Sequence, residues 1–252
     1  MQQRPSPIVL ALDTPDLGEA RVWAAAAGGS IGMVKVGLEL FGAHGPEAVR
    51  ALRGDGHRVM LDVKLHDIPA TVGRAVAALA PLGAELLTVH AMGGRAMLGA
   101  ALEAAAGRTR VTAVTVLTSL DQADLDALGL GRALSAAERL ASLALAAGCQ
   151  ALVCSPLEVA SLRALAGPGV TLVCPGVRPG TPAPTVEGTR QSRRDVPAGR
   201  DDQARVAAPG AALAAGADLL VVGRPITRAP DPAAAARAVN AEALQAARGG
   251  AR

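Results

Sequence analysis

Short runs rich in Val, Leu and Ile alternate with longer Ala- and Leu-rich stretches along almost the whole chain. The runs at 8–13, 33–37, 57–64, 84–90, 110–118, 151–155, 170–176 and 217–223 predict strands. Their apolar character is nearly continuous, which marks strands buried on both faces, as in a parallel sheet. The stretches at 71–80, 95–106, 135–147 and 228–247 carry a helical pattern. Eight such βα units in 252 residues predict an α/β fold, a (β/α)8 TIM barrel forming a single domain over 1–252. A doubly wound open sheet is the alternative. It normally brings a Gly-rich fingerprint after its first strand, where this chain reads ALDTPDLGEA.

One connection breaks the rhythm. The segment at about 179–202 is rich in Pro, Gly, Thr and Arg and has no apolar period. Loops of that length inside compact domains are either functional or disordered, and both readings stay open.

In a barrel of this kind chemistry gathers at the C-terminal ends of the strands. Those ends carry Asp13, Lys35, Asp62 and Lys64 with Asp67 beyond, His90, Thr118 with Ser119, Ser155, Arg178, and Gly223 with Arg224. Almost every strand thus delivers a polar group to one rim, which packing alone does not require. The stretch RVMLDVKLHDIPATV, 58–72, is the sharpest case. Alternation along a strand turns Asp62 and Lys64 to one side and Leu61, Val63 and Leu65 to the other. The apolar set can face the helices and the charged set the barrel interior. Buried ions must be paired, and an Asp–Lys–Asp array can neutralise itself in part. Opposite charges favour the charged form of a lysine, and an ammonium aimed at a substrate carbon is a general acid. A salt-bridge network of purely structural purpose is the competing explanation.

Other positions admit plainer roles. Asp13 can cap the helix that starts near Asp16, and Lys35 can snorkel to the surface. His66 reads as a turn residue, while His90 reads equally as a catalytic or a supporting histidine. At the last strand, VVGRPIT places Gly223 and Arg224 where such barrels often bind phosphate, which points to a phosphorylated small molecule.

Composition narrows the field further. Net charge is +3, and the chain has one Phe, one Trp and no Tyr, so it lacks the stacking platforms of a nucleic-acid binder. No apolar run reaches the roughly 18 residues of a membrane span, and MQQRPSP is followed by no signal-peptide core; a soluble, cytoplasmic protein is expected. Cys149, Cys154 and Cys174 include no C-x-x-C pair and read as small buried residues. No His and carboxylate spacing indicates a metal.

With these motifs on the page, LDVKLHDIPATV resembles the signature of the orotidine 5′-phosphate decarboxylase family. The resemblance extends through ALD at 11–13, VKVGLELF at 34–41, TVLTS at 115–119, PGVRP at 175–179, DDQARV at 201–206 and VVGRPIT at 221–227. The D-x-K-x-x-D element alone is shared with sugar-phosphate lyases on the same barrel, some of them metal-dependent; the KLHDIP extension and the tail motifs are more specific. The resemblance implies decarboxylation of orotidine 5′-phosphate to uridine 5′-phosphate without metal or cofactor. It implies Lys64 as proton donor, Asp62 against the substrate carboxylate, and Asp13 and Lys35 at the ribose and in the charge array. Asp67 would reach the neighbouring subunit's site in a homodimer, and Ile68 and Thr71 join the implied substrate-binding set. Thr118 and Ser119 would hold the pyrimidine, and Arg178, Gln203, Gly223 and Arg224 the phosphate, with Gln191 the alternative to Gln203.

Overall fold

The structure, a computed structural model, describes residues 5–180 and 206–249, with side chains to residue 245. Eight parallel strands close into a barrel in sequence order. They are β1 (Ile8–Ala11), β2 (Met33–Gly37), β3 (Val59–Leu65), β4 (Leu86–His90), β5 (Arg110–Val114), β6 (Ala151–Val153), β7 (Thr171–Cys174) and β8 (Leu219–Val222). The helices around them are α1 (Leu17–Ala27), α2 (Leu38–His44), α3 (Pro46–Gly54), α4 (Pro69–Leu79), α5 (Gly94–Ala105), α6 (Gln122–Ala127), α7 (Ala133–Ala147), α8 (Val159–Ala166), α9 (Pro209–Ala214), α10 (Arg224–Thr227) and α11 (Pro232–Gly249). The expected (β/α)8 barrel is therefore the fold, and β1 pairs with both β2 and β8 to close it.

Two apolar cores follow from strand alternation. Val9, Met33, Met60, Leu86, Val114, Val153 and Val173 fill the barrel interior. Leu10, Val34, Val36, Leu61, Leu87, Val89, Leu152 and Leu172 face outward and pack on the helices. Small alanines let the helices approach; Ala20 and Ala24 of α1 and Ala137, Ala141 and Ala144 of α7 are fully buried.

Several strands stop short of their expected ends. β5 ends at Val114 rather than 118; the Thr115 N–H and hydroxyl both donate to the Val153 carbonyl, at 3.1 and 2.8 Å, and the chain bends at Val116. Thr118 and Ser119 lie in the turn that follows. The helical stretch expected at 228–247 is α11, which Pro232 opens and which runs to Gly249; the single turn α10 precedes it. Asp13 does not cap α1: Asp16 is its N-cap, with Oδ1 accepting from the Glu19 N–H at 3.1 Å. Cys149, Cys154 and Cys174 are all buried. Among the described residues no helix is long and apolar enough to cross a membrane. The long connection expected at about 179–202 falls almost wholly outside the described residues. The chain on either side of it comes together where Val177 bridges Ala207 and the Arg178 N–H donates to the Ala207 carbonyl at 2.9 Å.

Asp16→Ala should lower the unfolding free energy by about 1 kcal/mol, as an N-cap loss does, and leave ligand binding intact. Urea denaturation of the two proteins measures it.

Candidate active site

The C-terminal mouth of the barrel opens into a cavity of about 730 Å³. Of the residues singled out by sequence, Asp13, Lys35, Asp62, Lys64, Thr118, Arg178, Gly223 and Arg224 line it. Met60, Val114, Val153 and Val221 form its apolar floor, the upper edge of the interior core. Asp67, Ile68, Thr71 and Ser119 do not line it. Gln203 and Gln191 lie outside the described residues.

Four side chains, Asp13 just past the end of β1, Lys35 on β2, and Asp62 and Lys64 on β3, form a chain of alternating charge. Lys35 Nζ lies 3.0 Å from Asp13 Oδ1 and 3.6 Å from Asp62 Oδ2. Lys64 Nζ donates to Asp62 Oδ1 at 2.9 Å. Lys35 and Asp62 are both buried, at 8% exposure each, so Lys35 does not snorkel. Burial acts against ionising either group, but the neighbouring charges prevail. Lys35 is held above the usual lysine range, with burial opposed by Asp62 and Asp13. Asp62 is held below the usual carboxylate range, with burial opposed by Lys35, Lys64 and the Thr88 hydroxyl.

Two local features make room for this array. Gly37 is one: a Cβ there would stand 2.8 Å from Lys35 Nζ and 3.2 Å from Asp13 Oδ1, so a larger residue would push the ammonium off its partners. The other is a break in β3. The register runs Leu61↔Leu87 and then Leu65↔Val89, an irregularity that spans Asp62 to Lys64. Lys64 has a φ of 47°, in the left-handed region that non-glycine residues rarely occupy. The expected facing holds, with Leu61 in the outer core and Asp62 and Lys64 at the mouth, but regular alternation does not produce it. Strained backbone of this kind persists only where surrounding contacts fix it.

The sequence reading missed Thr88, Gly37, Trp23 and Glu39. Trp23 and Glu39 line the cavity from α1 and α2. Thr88 is fully buried beneath the array, and its Oγ1 lies 3.0 Å from Asp62 Oδ1 and 2.9 Å from the Lys64 N–H. Its signal was a hydroxyl inside the apolar strand LLTVH, on the same face as His90. Ser155 turns away from the cavity, its hydroxyl accepting from the Leu157 N–H and its own N–H donating to the buried Glu158.

Beyond β3 the chain leaves the barrel. Ile68 is extended, with ψ of 152°, as Pro69 requires. Asp67 is exposed, and its Oδ1 accepts from the Ile68 N–H at 2.6 Å. Gly223 and Arg224 open α10 on the far side of the mouth, facing Arg178 from the end of β7. A Cβ on Gly223 would press on Ala11 Cβ at 3.3 Å, so β1 and β8 approach closely there.

A closed barrel whose C-terminal rim gathers an ionised, interlocked set of side chains above an apolar floor is the site of a (β/α)8-barrel enzyme. The sequence model of the Orotidine 5′-phosphate decarboxylase / HUMPS family matches residues 6–239, and the chain belongs to this family. It is 55% identical over 239 residues to orotidine 5′-phosphate decarboxylase of Thermobifida fusca (strain YX), covering 94% of this chain and 95% of that protein. It is 53% identical over 235 residues to the enzyme of the same name from Anaeromyxobacter sp. (strain K), covering 93% and 96%. A crystal structure of orotidine 5′-phosphate decarboxylase from Lactobacillus acidophilus superposes with a TM-score of 0.77 at 32% identity, covering 94% of this chain and 99% of that one.

His90 ends β4, is buried and does not line the cavity. Its Nδ1 accepts from the Met92 N–H at 3.3 Å, and its ring stacks on His66 with centroids 5.3 Å apart. Burial, with His66 and Lys64 nearby, pushes the His90 pKa down to about 4. The sign follows directly. Between roughly pH 6.5 and 4 the unfolded imidazole binds a proton and the folded one does not, so stability falls as pH falls through that window. His90→Asn keeps an acceptor near Nδ1 and removes the titration. Denaturant unfolding from pH 7 to 4 should show a shallower loss of stability for the variant than for the parent protein.

Proposed function

We propose that this protein decarboxylates orotidine 5′-phosphate to uridine 5′-phosphate and CO2, the reaction that supplies pyrimidine nucleotides, and that it does so without metal or cofactor. The names of the relatives support the reaction. The observation that carries it is the pairing of Asp62 and Lys64 at 2.9 Å, both held at the mouth of an otherwise apolar floor. Loss of CO2 from the pyrimidine ring breaks a carbon–carbon bond and leaves its electron pair on C6. Such a carbanion has little resonance stabilisation, so an ammonium fixed beside C6 is the group it needs. Lys64 stabilises the carbanion electrostatically and then gives it a proton from Nζ. Asp62 stands against the departing carboxylate. Lys35 keeps Asp62 ionised and, with Asp13, takes the ribose hydroxyls. Thr118 and Ser119 hold the pyrimidine, and Arg178, Gly223 and Arg224 hold the phosphate, with Gln203 or Gln191 assisting.

Metal-dependent sugar-phosphate lyases on the same barrel are the competing class. The carboxylates of Asp13 and Asp62 are both engaged by lysine ammonium groups, which favours the metal-free chemistry. Lys64→Ala should lower kcat by about 10²–10⁴-fold or more while uridine 5′-phosphate still binds. The parent activity, followed by loss of orotidylate absorbance, should survive exhaustive chelation. Near-normal turnover in the variant removes Lys64 from its role, and loss of activity on chelation moves the protein to the lyases.

The site is read as shared across a two-fold homodimer. Asp67 and Ile68 stand outside the cavity of their own chain. Large apolar side chains are exposed on three successive βα turns around them, Leu38 at 62%, Ile68 at 65% and Met92 at 43%, as expected of a surface that a second copy covers. Asp67 would then enter the partner's cavity, with Ile68 and Thr71 beside it. Lys64→Ala and Asp67→Ala proteins, each inactive, should recover about a quarter of the wild-type activity when dissociated, mixed and reassociated, since about half the dimers are mixed and each regains one site. Mixed dimers that form and stay inactive would place Asp67 in its own chain's chemistry.

A further inference from the structure

Thr88 sits where the geometry of Lys64 is decided. Between the pairs Leu61↔Leu87 and Leu65↔Val89, β3 carries three residues, Asp62, Val63 and Lys64, while β4 carries one, Thr88. The bowed segment cannot use the regular ladder there. On its other side β4 is in register with β5, Thr88 opposite Thr112, so the strand that carries the hydroxyl is anchored. Thr88 is β-branched, which restricts its χ1, and it has no exposed surface.

The hydroxyl uses both of its capacities on the array. It accepts from the Lys64 N–H at 2.9 Å and donates to Asp62 Oδ1 at 3.0 Å. That same oxygen accepts from Lys64 Nζ at 2.9 Å. The result is a closed loop: Thr88 Oγ1 to Asp62, Asp62 to the Lys64 side chain, and the Lys64 backbone back to Thr88 Oγ1. It ties down both ends of the lysine, at a residue whose φ of 47° would otherwise relax. We propose that Thr88 is a positioning residue of the reaction: it aims the Lys64 ammonium by holding the strained turn of β3 and the Asp62 carboxylate to one hydroxyl.

This inference rests on the decarboxylation proposed above, so its test has an arm that does not. Valine has the shape of threonine but neither donates nor accepts, whereas serine does both. Thr88→Val should lower kcat by about 10- to 100-fold, as a small misplacement of a reacting group does, with KM and the dissociation constant for uridine 5′-phosphate within about threefold of the parent. Thr88→Ser should restore kcat to within about threefold. Independently of activity, amide hydrogen exchange at Lys64 should quicken in the valine protein and not in the serine protein. The proposal is overturned if the valine protein keeps the parent kcat, if the serine protein is as impaired as the valine one, or if kcat and nucleotide affinity fall together in a loosened protein. A parent protein that does not decarboxylate orotidylate would sink the proposed reaction instead, and exchange at Lys64 would still decide whether Thr88 holds the turn.

Discussion

A charge removed from water must find an opposite charge or a set of hydrogen bonds, and the mouth of this barrel is organised around that requirement. Asp62 and Lys35 are both nearly inaccessible, and neither is tolerable there alone. Each needs the other, and each also has a second partner nearer solvent, Lys64 for Asp62 and Asp13 for Lys35. Exposure rises outward along the chain: the side chains of Lys35 and Asp62 show 10% and 11%, those of Lys64 and Asp13 32% and 58%. The inner pair supplies the fixed field and the outer pair supplies the groups that a ligand can reach.

The fold meets the requirement by stacking a polar layer on an apolar one. Met33, Met60, Leu86 and Val114 fill the interior just below the array, so water cannot enter from beneath to screen it. An open mouth above admits a ligand. The cost is concentrated in β3, which must leave its ladder to bring two ionic side chains to the same place. A regular strand would put Lys64 N–H into the pairing with β4 and its side chain wherever alternation sent it. The left-handed turn at Lys64 instead folds the lysine back on Asp62, at an expense of order 1–3 kcal/mol that the surrounding ion pairs and hydrogen bonds offset.

The barrel was legible in the sequence because each strand is a compact apolar run and helical stretches alternate with these runs. The charged rim was legible because ionic residues inside such runs are costly and therefore meaningful. What alternation cannot express is a departure from alternation. Asp62 and Lys64 have the spacing of a regular strand, so nothing in LDVKL announces the irregular register. Thr88 was hidden by its ordinariness, since a threonine in a buried strand is common. Gly37 acts through the side chain it does not have, which only the position of Lys35 Nζ reveals. At Asp67 the chain leaves the barrel, where Pro69 holds Ile68 extended, a constraint that sequence alone displays.

The arrangement also bears on why the chemistry proposed here favours one direction. A substrate carboxylate brought beside Asp62 adds a second anion to a place already balanced by two ammonium groups. As the carbon–carbon bond breaks, that negative charge moves from the carboxylate onto the ring carbon, away from Asp62 and toward Lys64. Neutral CO2 is left next to Asp62, Lys64 yields its proton to the ring carbon and becomes a neutral amine, and the array regains its balance when solvent returns a proton to Lys64. An array whose dipoles are already fixed stabilises the moving charge without reorganising at the moment of reaction. That is why the precision of the Asp62–Lys64 geometry matters more than the number of charges. A flexible lysine of the same charge would have to be oriented anew for each turnover, whereas here the backbone, the carboxylate and one buried hydroxyl already orient it.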